Sequence, residues 1–223
     1  MLIDLSHTVE HGMITYKGLP APIISDHLTR AASRSVYEAG TEFHIGKIEM
    51  VANTGTYLDS PFHRYPDGKD LSELELSSLA NLETIVVRAL QSGTDPNQRG
   101  ILPTTFDLVD MKGKAVLFHT GWDRYWRTEK YSDGTHPYLT LETVELLVKA
   151  GPALVGIDSF NIDNTSTGQR PVHSMLLAAE IPIVEHLCNL DALPESGCRF
   201  FAVPVKVKAF GTFPVRAFAI TEL

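Results

Sequence analysis

Residues 140–158 read TLETVELLVKAGPALVGID, and this stretch has the pattern of a helix followed at once by a buried strand. Thr140 is a typical N-cap, acidic residues lie in the first turn, a lysine lies in the last turn, and Gly-Pro follows, so a helix is predicted over 141–150. The next apolar run predicts a strand over 153–157 and places Asp158 at its carboxyl end, where α/β folds commonly carry active sites. The stretch predicts an α/β or α+β domain with a mixed sheet.

The other apolar runs of the chain are short and rich in β-branched and aromatic residues, which is typical of strands. They predict strands at 2–5, 43–51, 83–90, 115–119, 200–207 and 215–220, and two more segments predict helices at 172–180 and, as a short element, 76–80. The chain contains no Ser/Gly-rich linker, internal repeat or low-complexity run. We therefore expect a single domain over residues 1–223.

The composition excludes several classes of protein. The 223 residues are 43% hydrophobic and 21% charged, as in an ordinary globular protein, and the net charge of -8 argues against a nucleic-acid-binding surface. No apolar run is long enough to span a bilayer, and the first residues lack a signal-peptide pattern, so a cytoplasmic protein without a membrane partner is predicted. Cys188 and Cys198 have no CxxC spacing and are expected to be free thiols. A small-molecule substrate is the partner that remains.

The segment 53–63, NTGTYLDSPFH, combines chemically useful side chains with residues that favour turns. Its Gly, Thr and Pro residues predict a loop that holds polar groups in fixed positions. Asp59 offers hard oxygen ligands, and His63 can ligate a metal or move a proton near neutral pH. His173 and Glu185 lie at predicted element boundaries, and with Asp59 they would form an O/N ligand set suited to Zn²⁺ or Mn²⁺.

Spacing alone leaves a structural interpretation open for the same residues. The spacing of residues 59 and 185 in the sequence does not show that they lie close together in space. In an arbitrary globular protein an aspartate, a histidine and a glutamate are more often a helix cap, a hydrogen-bonded core side chain and a surface charge.

Several segments of the chain resemble the metal-dependent cyclase family, which includes bacterial kynurenine formamidases, or arylformamidase-like hydrolases, and related amide or lactam hydrolases. Segment 53–63 is similar to the family signature H-x-G-T-H-x-D-x-P-x-H. Further similar segments follow the family order at 3–6, 115–122, 155–163, 173–177 and 182–187. The resemblance covers nearly the whole chain and implies a swivelling β/β/α fold with a mixed sheet, a homodimer or homotetramer, and a site for one or two metals.

The resemblance also implies roles for individual residues. Asp59, His173 and Glu185 lie at positions of metal ligands, and His63 lies at the position of the catalytic acid/base. A metal held there would lower the pKa of a water molecule and polarise a substrate carbonyl, while His63 takes and returns the proton.

The chain departs from the family signature at two ligand positions. Asn53 and Tyr57 stand where the family has metal-ligating histidines. An amide oxygen is a weak ligand, and a phenol with a pKa near 10 binds well only if the metal removes its proton. We therefore expect one firmly bound Zn or Mn ion, with a second metal doubtful. Asn53 and Tyr57 are expected to orient Asp59 or the substrate by hydrogen bonds.

Aromatic residues near these segments predict a pocket for a flat substrate. Tyr16, Trp122 and Phe160 are the candidates for substrate contact, although aromatic side chains more often belong to the core. Asp158 is expected to anchor a loop by bonding its own backbone amides rather than to act in catalysis.

The sequence leaves three functions in competition. The first is a metal-dependent hydrolase of a non-peptide carbon–nitrogen bond, with an N-formyl aryl amide such as N-formylkynurenine, or a cyclic amide, as substrate. The second is a catalytically reduced member of the family that binds a ligand, as the changes at Asn53 and Tyr57 suggest. The third is a lyase or cyclase acting on a small carbonyl compound. Retention of Asp59, His63, His173 and Glu185 together favours the first.

Overall fold

One large mixed sheet organises the chain. The protein is described by a computed structural model over residues 1–95, 97–105 and 110–221. In these ranges the strands are β1 Leu2–Asp4, β2 Ile23–Leu28, β3 Ile45–Glu49, β4 Tyr57–Asp59, β5 Leu82–Arg88, β6 Gly100–Ile101, β7 Ala115–His119, β8 Tyr138–Leu139, β9 Leu154–Ile157, β10 Ile183–Glu185, β11 Cys198–Phe201, β12 Thr212–Pro214 and β13 Phe218–Thr221. The α-helices are α1 Arg30–Ser33, α2 Leu141–Ala150 and α3 Pro171–Ala178.

Nine of the described strands form the sheet, in the order β1-β13-β11-β5-β7-β9-β10-β4-β12. The four central strands, β5, β7, β9 and β10, are parallel, and antiparallel strands extend the sheet on both sides. β2 and β3 pair with each other as a separate antiparallel ribbon. The mixed α/β fold predicted from the sequence is therefore confirmed.

Alternating side chains of the central strands belong to two hydrophobic clusters, one on each face of the sheet. Val116 and Phe118 of β7 pack in one cluster with the apolar stripes of α2 and α3. Ala115 and Leu117 of the same strand belong to the other cluster, which also contains Leu58 of β4. Successive residues of a strand point to opposite faces, so these buried runs are apolar throughout because both faces of the sheet are covered.

The predicted helices are present, with small changes at their ends. α2 has the predicted bounds, with the Thr140 hydroxyl accepting a hydrogen bond from the Thr143 amide at 3.4 Å and Gly151 adopting a φ of 67° after the last turn. α3 begins at Pro171 and ends at Ala178, earlier than the predicted end at 180. The segment 76–80 forms a short 3₁₀ turn at Leu76–Ser78 rather than an α-helix. None of the described helices has the length and apolar character needed to traverse a bilayer.

The strand predictions are less accurate than the helix predictions. The strand at 115–119 has the predicted bounds, and those at 2–5, 43–51, 83–90 and 153–157 are present with shifted ends. The prediction over 200–207 is wrong beyond Phe201, and that over 215–220 is wrong before Phe218. The interpretation of 53–63 as a loop is also wrong in part, because Tyr57–Asp59 is strand β4. A three-residue strand with a buried carboxylate shows too little alternation to be recognised.

Candidate metal centre

The register of three short strands brings together the first part of the site. In β4, Tyr57 and Asp59 point to one face of the sheet, and Leu58 points to the other. β10 runs antiparallel to β4 with Glu185 opposite Tyr57, and β12 runs antiparallel on the other side with Thr212 opposite Asp59. Cross-strand partners lie close enough for their side chains to interact. Asp59, Glu185 and Thr212 are thus neighbours because of strand pairing.

Helix α3 brings His173 to the same place. The carboxylate of Asp163 accepts hydrogen bonds from the amides of Val172 and His173 at 2.8 and 3.0 Å, which satisfies donors in the first turn of the helix. Its Oδ2 also accepts from Nδ1 of His173 at 2.7 Å. Because Nδ1 donates to Asp163, Nε2 is the atom that faces the carboxylates of the sheet, and it can offer a lone pair to a metal that replaces its proton.

The three predicted ligands form one buried cluster. One ligand atom from each of Asp59, His173 and Glu185 lies within 4.8 Å of the other two. Nε2 of His173 is 3.7 Å from Oδ2 of Asp59 and 3.7 Å from Oε1 of Glu185. The side chains of Asp59, Glu185 and His173 are 0%, 1% and 8% exposed. The sheet and the helix therefore bring Asp59 to His173 and Glu185, which lie more than a hundred positions further along the sequence.

The donor atoms of this cluster fit a divalent cation. Oδ2 of Asp59 is buried and has no hydrogen-bond partner among the described residues, which is costly for a carboxylate oxygen unless a cation contacts it. Burial lowers the pKa of His173, but the charges of Glu185 and Asp59 and the hydrogen bond to Asp163 outweigh this and raise it to about 10. Burial also raises the pKa of Glu185 to about 7. The raised pKa of His173 reflects the negative charge of the carboxylates around it, which a divalent cation would also neutralise.

Tyr57 acts on a different carboxylate from the one expected. Its hydroxyl donates to Oε2 of Glu185 at 2.7 Å, while the amide of Ile162 donates to Oε1 at 2.7 Å. Burial and then the charge of Glu185 raise the pKa of the Tyr57 phenol well above its usual value, so the phenol keeps the proton that it donates. Tyr57 therefore orients Glu185 rather than Asp59, because the two residues are paired across the strands.

His63 is linked to the centre through Thr212. The Thr212 hydroxyl donates to Oδ1 of Asp59 and lies 2.8 Å from Nδ1 of His63. Because its proton is committed to the carboxylate, the hydroxyl accepts from Nδ1–H, so in the neutral imidazole Nε2 of His63 carries the lone pair. The side chain of His63 is 36% exposed. Gly211 allows this approach, since a Cβ there would lie 2.4 Å from the amide nitrogen of His63.

A cavity of about 260 Å³ opens beside the cluster. Its lining residues are Tyr16, Leu19, Asn53, Tyr57, His63, Arg64, Asn161, Arg170, His173 and Glu185. The volume is near the lower end of the range for ligand pockets, roughly 300–1,000 Å³, and suits a substrate with a single aromatic ring. Asn53 thus faces the space that a substrate would fill.

The three aromatic candidates lie in different places. Tyr16 lines the cavity, and its hydroxyl donates to the carbonyl of Phe160 at 3.0 Å and receives a hydrogen bond from Asn161. Trp122 and Phe160 are buried side chains outside the lining and pack in a cluster with Tyr131. The Phe160 ring lies 4.5 Å from the ring of Tyr16. Phe160 is therefore placed to support Tyr16, and Trp122 to pack in the core.

Comparison with known proteins places the chain among relatives that are named as hydrolases. The sequence model of the family described as "Putative cyclase" matches residues 3–164. The chain belongs to this cyclase family. It is 30% identical over 174 residues to a kynurenine formamidase of Erythrobacter litoralis, covering 76% of this chain and 74% of that protein. It is 27% identical over 216 residues to a kynurenine formamidase of Geobacillus thermodenitrificans, covering 96% and 95%. The predicted resemblance is confirmed.

Solved structures of similar fold support the cyclase-family architecture. Isatin hydrolase A from Labrenzia aggregata superposes with a TM-score of 0.82 at 20% identity, covering 99% of this chain and 93% of that chain. A protein described as a potential metal-dependent hydrolase with cyclase activity superposes with a TM-score of 0.78 at 21% identity, covering 100% and 98%. At these identities the likeness establishes the fold.

Asp158 anchors a neighbouring loop of the cyclase-family sheet. Its Oδ1 accepts from the amide and hydroxyl of Thr120 at 2.8 and 2.6 Å, and its Oδ2 accepts from the amide of Gly121 at 2.8 Å. The expectation that it bonds its own backbone amides is wrong, because the end of β9 lies beside the end of β7. Burial raises its pKa to about 7. Asp158 does not line the cavity.

Substitution Asp158→Asn is expected to lower stability more than turnover. The amide nitrogen of asparagine would face a backbone N–H that now donates to Oδ2, and an unpaired buried donor costs about 1–3 kcal/mol. Thermal unfolding and the turnover per folded molecule, measured on the same preparation, separate the two effects. A variant with unchanged unfolding temperature and lost turnover would instead place Asp158 in the reaction.

Sequence reasoning missed several residues that surround the candidate site. These are Asp163, Thr212, Asn161, Arg64 and Arg170. Asp163 stands in a segment that resembles the family, ten residues before His173, so its position was visible but its hydrogen bonds were not. Thr212 gives no sequence signal, because only the pairing of β12 with β4 brings it to Asp59.

Proposed function

We propose that the protein is a hydrolase that depends on one divalent metal, Zn or Mn, and cleaves the carbon–nitrogen bond of an N-formyl aryl amide or a cyclic amide. The observation that carries the proposal is the buried Asp59, His173 and Glu185 cluster beside a cavity that His63 also lines. The class of enzyme agrees with the relatives, which are named kynurenine formamidases. A small-molecule substrate fits the cavity of about 260 Å³.

The residues divide the chemistry between them. A divalent ion, when bound by Asp59, His173 and Glu185, supplies a Lewis acid that polarises the substrate carbonyl and lowers the pKa of a water molecule. His63 accepts the proton of the attacking water at Nε2 and returns it to the leaving nitrogen. The water oxygen adds to the carbonyl carbon and the carbon–nitrogen bond breaks, so a formamide yields formate and an amine.

The residues at the two altered positions support a single metal. Tyr57 keeps its proton and bonds Glu185, and Asn53 offers an amide where the signature has a histidine. Neither supplies the imidazole nitrogen that the signature offers to a second ion at these positions. The intact ligands all belong to the cluster of Asp59, His173 and Glu185.

The protein is also proposed to be a cytoplasmic homodimer or homotetramer. Ile24 of β2 and Ile48 of β3 are 40% and 56% exposed on a ribbon that is separate from the main sheet. Burying such side chains between copies of the chain would remove apolar surface from water. Sedimentation of the purified protein measures the number of subunits.

The test of the proposed reaction uses metal-loaded protein, formanilide as an N-formyl aryl amide, isatin as a cyclic amide, and water enriched in ¹⁸O. Hydrolysis puts one solvent oxygen into the formate or into the opened ring, as mass spectrometry would detect. Conversion of a carbonyl compound without solvent oxygen would point to a lyase or cyclase. Tight binding without conversion of either amide would favour a ligand-binding protein.

Thr212→Val tests the link between Asp59 and His63. Valine has nearly the shape of threonine but cannot donate to Asp59 or accept from His63, so the imidazole loses the partner that fixes its protonated nitrogen. We expect turnover to fall about tenfold or more, within the ~10–100-fold range for groups that orient metal ligands. Thr212→Ser keeps the hydroxyl and should restore most of the turnover. An equal loss of turnover in both variants would mean that Thr212 acts only through its packing and not through its hydroxyl.

A further inference from the structure

A tripeptide at residues 161–163 bonds two of the three proposed ligands from outside the metal centre. The amide of its second residue, Ile162, donates to Oε1 of Glu185 at 2.7 Å. The carboxylate of its third residue, Asp163, accepts from Nδ1 of His173 at 2.7 Å. Groups that bond metal ligands from outside fix the orientation of those ligands. The position of this tripeptide therefore determines where both ligands point.

Tyr16 holds the first residue of the tripeptide. Nδ2 of Asn161 donates to the Tyr16 hydroxyl, which in turn donates to the carbonyl of Phe160 at 3.0 Å. At the other end of the same side chain, Oδ1 of Asn161 accepts from the amide of Asp163 at 2.9 Å. Asn161 is thus fixed at both polar atoms, and it connects the Tyr16 hydroxyl to the residue that bonds His173.

The rest of the tripeptide is held through its carbonyls. The amide of Leu139 donates to the carbonyl of Ile162 at 3.0 Å, and Nε2 of His136 donates to the carbonyl of Asp163 at 3.0 Å. Neither bond reaches Asn161. Among the described residues, Tyr16 is the hydrogen-bond partner of Asn161 outside the tripeptide.

The residue before Tyr16 bonds the other half of the metal centre. Oγ1 of Thr15 accepts from the amide of Gly55 at 2.8 Å, and Thr15 is only 7% exposed. Gly55 belongs to segment 53–63, which carries Asp59. Two adjacent residues therefore connect the segment that supplies one ligand with the tripeptide that orients the other two.

The hydroxyl and the ring of Tyr16 have separate uses. Burial, and then the charge of Glu185, raise the pKa of the Tyr16 phenol well above its usual value, so the hydroxyl keeps the proton that it donates to Phe160. Its oxygen accepts from Asn161. With the hydroxyl engaged in this way, the ring is the part of Tyr16 that a substrate in the cavity can contact.

We propose that Thr15 and Tyr16 form a brace for the metal centre. Tyr16 is a positioning residue for His173 and Glu185, and Thr15 fixes it to the segment that carries Asp59. The proposal rests on the proposed function for the presence of the ion. It gives the Tyr16 hydroxyl a part in metal binding, although its hydrogen bonds go to residues 160 and 161.

Metal titration into chelator-treated Tyr16→Phe and Thr15→Val tests the brace. Both substitutions nearly keep the shape of the side chain and remove its hydroxyl. The affinity for Zn²⁺ should fall about tenfold or more in each, within the ~10–100-fold range for groups that orient metal ligands. A merely structural role would lower the unfolding temperature of the metal-free protein and leave the metal affinity of the folded chain unchanged. With formanilide, metal-loaded Tyr16→Phe should have a lower kcat and the wild-type KM, because the ring is retained.

Two further variants serve as controls. Thr15→Ser keeps the acceptor for the Gly55 amide and should have most of the wild-type affinity. Tyr125→Phe removes the hydroxyl of a half-buried tyrosine that packs on Trp122 and does not line the cavity, so its metal affinity should stay at the wild-type value. Wild-type affinity in Tyr16→Phe or in Thr15→Val, or an equal loss in Tyr125→Phe, would overturn the brace. Weaker metal binding by both brace variants, without hydrolysis of formanilide or isatin by the wild-type protein, would retain the brace and overturn the proposed function.

Discussion

His173→Ala is expected to abolish metal binding and turnover together. The imidazole supplies the nitrogen ligand, and its Nε2 lies 3.7 Å from an oxygen of each carboxylate. Its removal leaves Asp59 and Glu185 buried and close together with two ligands for the ion instead of three. Loss of a group that only orients a ligand weakens metal binding by ~10–100-fold, so loss of the ligand itself should exceed ~100-fold. Metal titration into chelator-treated protein measures the effect.

His119→Ala is the matched control for this substitution. His119 is also a buried histidine, but it bonds Arg88 and does not line the cavity. Its removal should leave the metal affinity close to that of wild-type protein. Circular dichroism on both variants establishes that each is folded. If His173→Ala folds and still binds one ion at wild-type affinity, the assignment of His173 as a ligand is wrong.

His63→Ala is expected to reduce turnover by ~10²–10⁴-fold, the range for a positioned general acid or base. His63 bonds Thr212, and its ring lies 6.2 Å from the ring of His173, so its removal takes away none of the three proposed ligands. Metal content should therefore stay at the wild-type value. The combination of lost turnover and retained metal distinguishes a proton-transfer role from a ligand role.

The control for His63→Ala is His44→Ala, which removes a surface histidine paired with Asp26 on the separate ribbon. This variant should have wild-type turnover and metal content. Unchanged turnover in His63→Ala would remove His63 from the reaction. Simultaneous loss of metal would make it a ligand, through the Nε2 atom that the account assigns to proton transfer.

The parts of the fold that sequence predicts best are those with long, locally determined patterns. The helix at 141–150 has its cap, stripe and terminal glycine in one continuous segment, and α2 has the same bounds. β7 is an uninterrupted apolar run, and its bounds are also correct. β4 and β10 are three residues long and end in Asp59 and Glu185, so the polar residues that make the site also obscure the strands that carry them.

The candidate site shows a similar division. Segment 53–63 picks out Asp59 and His63, predicted element boundaries make His173 and Glu185 candidates, and the family resemblance implies roles for all four. Their contacts depend on register: Tyr57 lies opposite Glu185, whereas the sequence suggested a role for it beside Asp59. Arg64 and Arg170 line the same cavity because α3 packs against the turn that ends at His63. The sequence therefore predicts which side chains can take part in the chemistry, whereas the contacts between distant segments are known only from the structure.

The central claim is that one ion is held by Asp59, His173 and Glu185, and the most direct test is the stoichiometry of metal binding. Chelator-treated wild-type protein would be titrated with Zn²⁺ and with Mn²⁺, and bound metal per chain would be measured by elemental analysis. The variant Asp59→Ala, His173→Ala would be treated in parallel. We predict one tightly bound ion per wild-type chain and none in the variant. Two tightly bound ions per wild-type chain, or none even after reconstitution, would contradict the account.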